Sequence, residues 1–180
     1  GRIFGVCMLG AGISSLILAA LHRNDFLFVV GIFTIYMTGT GWRYLAFKNL
    51  YVLQKVQFID WTLIVFMLIG CILFLWFGVS YIYQKNYFGL ITLLFFWRGI
   101  TFVRQDIHFF SGQRKTNNDW LIAHLQRMSG AYIASLTAFA VVNVPPFFSI
   151  IPWLLPSVIV VPFLVKWTKK YTKPSTSIPQ

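Results

Sequence analysis

The sequence predicts an all-α, polytopic transmembrane bundle of about six spanning helices with both termini cytoplasmic. Three observations carry this reading. The 180 residues are 58% hydrophobic and only 11% charged, against about 25% charged in a soluble domain. Apolar runs of about 20 residues, the length that crosses a bilayer, recur along the chain. The basic residues fall in the short breaks between those runs and alternate in density from break to break.

The first run covers roughly residues 3–21 and stops at the polar turn His22-Arg23-Asn24-Asp25. The second covers roughly 26–45 and leads into a mixed loop, 46–58, whose Lys48 and Lys55 suit an interfacial position. The third, roughly 59–83, opens with Asp60 and ends at Gln84-Lys85-Asn86. The fourth covers roughly 87–105. Residues 106–119 are the most polar stretch, and Asn117-Asn118-Asp119 is a helix N-cap signal for the fifth run, roughly 120–142. Val144-Pro145-Pro146 breaks the chain before the sixth, roughly 147–167. That run holds Pro152, Pro156 and Pro162. Pro152 also suits the first turn of a helix ending near residue 168, which makes 145–151 an outer loop. Residues 1–168 thus read as one transmembrane domain, and 169–180 as a basic cytoplasmic tail.

The charge pattern orients the chain. Arg2, Arg43, Lys48, Lys55, Arg104, Arg114, Lys115, Lys166, Lys169, Lys170 and Lys173 fall at one set of span ends, and only Arg23 and Lys85 at the other. Eleven against two predicts that the basic side is cytoplasmic. The net charge of +11 is therefore topological. No basic stripe with interleaved aromatics exists, so nucleic acid is excluded as a partner. Cys7 and Cys71 lie inside apolar runs and read as small buried hydrophobes. Trp42, Tyr44, Trp61, Tyr81, Tyr83, Tyr87, Trp120, Trp167 and Tyr171 sit near span ends and read as an interfacial aromatic belt.

Two basic residues remain, Arg98 and Arg127, and each lies inside a run. A guanidinium at membrane depth is costly and faces a partner, a cavity or a ligand. His124 and Arg127 are spaced i, i+3 and share a helix face. Thr101 and Gln105 extend the face of Arg98 toward the cytoplasm. Asp60 and Asp106 lie on the same side and are candidates for structural ion pairing, with Asp60 a possible partner of Arg98. Cations exceed acids there, so Arg98, Arg127, His124, Thr101 and Gln105 are the candidate site for an anion or a lipid headgroup. The competing reading makes Arg127 snorkel and His124 a satisfied core histidine.

Haem is weighed as a cofactor because His108 and His124 both fall on the cytoplasmic side. His108 reads as lying outside its span, and His124 and Met128 are one turn apart on one helix, so they cannot clamp one iron from opposite faces. A quinone near His124 and Tyr132 has no better support. There is no paired carboxylate, Ser/His/Asp set, phosphate-binding glycine loop or metal-ligand cluster, so no enzyme class is indicated. Arg2-x-x-Gly5 and Arg127-x-x-Gly130, each followed by small residues, form a faint internal echo.

The run His-x-x-Arg-Met-x-Gly-Ala-Tyr-Ile-Ala-x-x-Thr-Ala-Phe-x-Val-Val-Asn, from His124 to Asn143, resembles a signature of a family of uncharacterised bacterial multi-spanning inner-membrane proteins, a domain of unknown function. The opening Gly-Arg-Ile-Phe and His22 resemble that family too. The resemblance implies a bacterial inner-membrane location and supplies no activity. The expected function is a non-enzymatic membrane protein, a subunit or accessory of a larger complex, with the bilayer and other membrane subunits as partners. A small transporter or channel, and a haem- or quinone-binding redox protein, are the alternatives.

Overall fold

The structure, a computed structural model, describes residues 2–48, 56–112, 118–143 and 151–172. Among these residues there are six helices and no strand: α1 (Arg2–His22), α2 (Asp25–Ala46), α3 (Phe58–Tyr83), α4 (Phe88–Phe110), α5 (Asp119–Asn143) and α6 (Ile151–Thr172). Three of them, α1, α2 and α3, are long and apolar enough to cross a membrane. Lys55, Arg114, Lys115, Pro145, Pro146 and Lys173 lie outside the described residues.

Local sequence sets the helix starts. Asn24 caps α2, its side-chain oxygen accepting from Leu27 N at 3.2 Å. Asp60 accepts from Gln57 N at 2.8 Å and so closes the first turn of α3. Asn86 Oδ1 accepts from Phe88 N at 3.0 Å at the start of α4. Both tight turns use a basic residue in the left-handed region, Arg23 (φ 48°) and Lys85 (φ 56°), each followed by that capping asparagine. Pro152 sits in the first turn of α6, where its missing N–H costs nothing.

The helices alternate in direction. Contacts between Gly5 and Trp42, Arg43 and Asp60, Tyr44 and Asp106, Lys48 and Trp120, and Asn118 and Tyr171 tie one end of the bundle together. We term this the basal end. It gathers the starts of α1, α3 and α5 and the ends of α2, α4 and α6. Asp25 and Tyr81 meet at the opposite, apical end, with Tyr81 donating to the carboxylate at 2.6 Å.

α2 is central. It packs against α1, α3 and α5, while α4 packs mainly on α3, and α6 on α5. Gly31 of α2 admits Leu16 of α1, Gly39 admits Leu63 of α3, and Gly41 admits Met128 of α5. The core around α2 holds Phe33, Tyr36, Met37, Met67, Phe74 and Phe102. The outward faces of α1 and α3 are strongly apolar, with Ile3, Ile17, Leu21, Ile72, Trp76 and Val79 among the exposed side chains. A surface of this kind is suited to hydrocarbon and not to water.

α4 is longer than the sequence suggests. It continues to Phe110, because Asp106 and Phe109 both turn into the bundle. His108 is therefore helical and not a loop residue. α6 runs on through Lys169 and Lys170 to Thr172, past the expected boundary at 168.

Candidate functional site

The site is built where α4 and α5 pass the basal half of α2. α4 and α5 are not among the closely packed helix pairs, and side chains bridge the gap. Arg127 of α5 is the principal bridge. It is 2% exposed and donates both to an oxygen of Asp106 and, at 3.0 Å, to the Phe102 carbonyl, both on α4. Its guanidinium also lies 4.2 Å from the Phe102 ring centroid and 5.4 Å from that of Tyr36.

Asp106 is wholly buried and is held from three sides. Tyr36 donates to one carboxylate oxygen, while Tyr44 and Arg127 donate to the other. Tyr36 and Tyr44 are eight residues apart on α2, so they project from one face two turns apart. The network thus joins α2, α4 and α5 through one buried ion pair and two phenols. Buried charge is tolerated when paired and hydrogen-bonded in this way.

Asp60 serves a different arginine from the one expected. Arg43 Nε donates to Asp60 Oδ1 at 2.6 Å and Arg43 Nη2 to Oδ2 at 2.9 Å, a two-pronged pair joining α2 to α3. Arg98 does not reach Asp60. Its guanidinium lies over Phe102 at 4.7 Å and Trp97 at 5.9 Å, and it makes no ion pair among the described residues. Arg98 and Arg127 thus share one ring, but only Arg127 is enclosed.

His124 is partly buried and makes one bond to a neighbouring helix, from Nδ1 to the Gly41 carbonyl of α2 at 2.7 Å. A carbonyl only accepts, so the proton is on Nδ1. His124 is therefore tied to α2 and does not line the opening beside α4.

That opening is a groove of about 620 Å³ between the basal halves of α4 and α5. Thr101, Arg104, Gln105 and His108 line it from α4, Asp119, Gln126 and Arg127 from α5, and Tyr44 from behind. Of the five residues expected in an anion site, it brings together Arg127, Thr101 and Gln105 and leaves out Arg98 and His124. It adds Arg104, His108 and Gln126, all exposed. Arg104 makes no ion pair among the described residues. The facing polar stripes of α4 and α5 are also why these helices are less apolar than α1 and α3.

No protein-family model, no curated protein and no solved structure matches this chain. Its functional reading rests on its own residues. Among the described residues no group of three or more metal-binding side chains comes together. Tyr36 and Tyr44 are the functional residues that sequence reasoning missed, Tyr44 having been assigned to the aromatic belt. Their signal was the 36, 40, 44 spacing, which places two phenols and the Thr40 hydroxyl on one face of α2. Arg2 is exposed while Arg127 is enclosed, so the Arg-x-x-Gly echo does not correspond to equivalent roles.

Proposed function

We propose that this chain is a non-enzymatic protein of the bacterial inner membrane, crossing it six times with both termini cytoplasmic. The basal end is then the cytoplasmic end. The alternating helix directions and the eleven-to-two asymmetry of basic residues support that topology.

In this reading the groove between α4 and α5 holds an anionic lipid headgroup, and the protein serves a larger membrane complex as a lipid-dependent subunit. One observation carries it: Arg104 and His108 open onto a groove of headgroup size at the basal rim, and Arg104 makes no ion pair among the described residues. Asp106 is consumed by Arg127 and the two tyrosines, leaving Asp119 as the acid lining the groove. Gln105 and Gln126 supply donors for phosphate oxygens. Apical to Arg98 the same face of α4 continues as Leu94 and Leu90, so the polar lining does not support a path through the membrane.

Native mass spectrometry of the protein released from phosphatidylglycerol and phosphatidylcholine mixtures tests this. Phosphatidylglycerol adducts should dominate, and the double variant Arg104→Gln/His108→Gln should lose most of that preference. An unchanged adduct pattern in that variant overturns the reading.

A further inference from the structure

The chain has four acidic residues and no more. All four are among the described residues, and their places are known. Asp25 accepts from Tyr81 at the apical end, Asp60 holds Arg43, Asp106 holds Arg127, and Asp119 opens α5 at the basal end. None of them pairs with Arg98, which makes no ion pair among the described residues. Arg98 lies twelve residues before the end of α4 at Phe110, about 18 Å along the axis at 1.5 Å per residue. With Arg104 and His108 at the headgroup rim, Arg98 lies six residues, about 9 Å, deeper than Arg104 and so within the hydrocarbon. An exposed guanidinium there carries a large cost unless an anion meets it. The counter-ion then comes from outside the chain, and in a second copy Asp60 and Asp106 are paired while Asp25 and Asp119 stand at the bundle ends, away from that depth.

The depth selects the chemistry of that anion. A phosphodiester is charged at every accessible pH and stays at the interface. A carboxylic acid, with an ordinary pKa of about 4.3, becomes neutral on protonation and enters hydrocarbon in that form. Beside a guanidinium it ionises again and can accept two parallel N–H bonds. The rings of Trp97 and Phe102 already hold the Arg98 guanidinium at the α4 surface. One and two turns apically, Leu94 and Leu90 are exposed and form an apolar track.

We propose that Arg98 is the binding residue for a long-chain carboxylic acid, whose carboxylate pairs with the guanidinium while its alkyl chain lies apically along Leu94 and Leu90. This site is distinct from the basal groove. It rests on the membrane-spanning part of the proposed function and not on the groove's occupant.

The test is equilibrium binding of radiolabelled palmitic acid to the full chain in nanodiscs of phosphatidylcholine alone, where no anionic phospholipid competes. Binding should be saturable, and methyl palmitate should fail to compete because it cannot ionise. Arg98→Gln should weaken binding about tenfold or more, the loss expected of a charged, two-pronged hydrogen bond. Arg98→Lys should fall between, and Lys169→Gln, at an exposed position on α6, should bind as the parent does. Arg98 has no internal ion-pair partner to orphan, so Arg98→Gln should keep the thermal stability of the parent, which shows that lost binding is not lost folding. Equal binding by Arg98→Gln, or competition by the methyl ester, overturns the proposal. So does a co-purifying membrane subunit that is lost only in Arg98→Gln, since a partner's carboxylate would then hold the site. A failure of this kind leaves the phosphatidylglycerol dependence on Arg104 and His108 untouched.

Discussion

Arg127 on α5 and Asp106 on α4 form a buried ion pair across the gap between their helices, with the carboxylate also bound by Tyr36 and Tyr44 of α2. Removing one partner leaves a buried charge without compensation. Arg127→Leu is expected to destabilise the protein by about 3–5 kcal/mol, seen as a lower midpoint of thermal unfolding in detergent. The double variant Arg127→Leu/Asp106→Leu should recover much of that loss, because replacing both ions by apolar groups removes the desolvation cost as well. Recovery in the double variant separates a pairing role from a ligand-binding role for Arg127.

The phenols give a graded version of the same test. Tyr44→Phe keeps the ring, which meets Phe109 edge-on at a centroid distance of 4.7 Å, and removes one donor to Asp106. The expected loss is about 1.5–3 kcal/mol, the range for a hydrogen bond to a charged group. Thermal unfolding measured in the Asp106→Asn background should show a smaller effect for the same substitution, since the acceptor is then neutral.

Sequence patterning made the helices legible and left their partners obscure. Apolar run length and the polar turns at His22–Asp25 and Gln84–Asn86 located the helix ends closely, because capping is a local matter. The end of α4 was misjudged because Asp106 looks like a loop residue until Tyr36, Tyr44 and Arg127 are beside it. Helical spacing put Arg98, Thr101 and Gln105 on one face of α4, yet only Thr101 and Gln105 line the groove. Spacing carries no information on which helix that face meets, so it could not assign Arg43 to Asp60 or His124 to the Gly41 carbonyl.

The Arg43–Asp60 pair supports a prediction of coupling. Asp60 accepts both from Arg43 and from the Gln57 backbone, so it joins α2 to α3 and starts α3 together. Arg43→Gln loses only the first role, whereas Asp60→Ala loses both. The second should be the more destabilising, by about 0.5–2 kcal/mol, the usual cost of a lost cap. A double-mutant cycle read by thermal unfolding should give a coupling energy of about 0.5–3 kcal/mol for the pair.

Close helix approach at the apical end predicts a steep steric effect. A Cβ on Gly89 would lie 2.7 Å from the Gly78 carbonyl oxygen and 2.8 Å from the Ile82 nitrogen, both backbone atoms that cannot turn aside. Gly89→Ala should therefore separate α3 from α4 and cost about 1–3 kcal/mol, as overpacking does. Gly10→Ala on α1 meets nothing within 4 Å and should be neutral or slightly stabilising by helix propensity. Comparing the two unfolding midpoints distinguishes packing from a general intolerance of added methyl groups.

The proposed six-span topology makes a directional prediction about accessibility. Lys85 lies in the apical turn between α3 and α4, while Lys170 lies in the last turns of α6 at the basal end, and both are exposed. With Cys7 and Cys71 changed to serine, a single cysteine at position 85 should react with a membrane-impermeant maleimide added outside intact spheroplasts. A single cysteine at position 170 should react only after the membrane is opened. The physical basis is that the positive side of a multi-spanning protein stays cytoplasmic, and Lys170 belongs to the dense group of basic residues while Lys85 belongs to the sparse one. Labelling of both positions from one side would mean that the chain between them does not cross an odd number of times, as the alternation of α4, α5 and α6 implies, and the arginine depths along α4 and α5 would lose their membrane meaning. Labelling of position 170 alone from outside would keep the spans and invert the bundle, moving the groove at Arg104 and His108 to the outer leaflet.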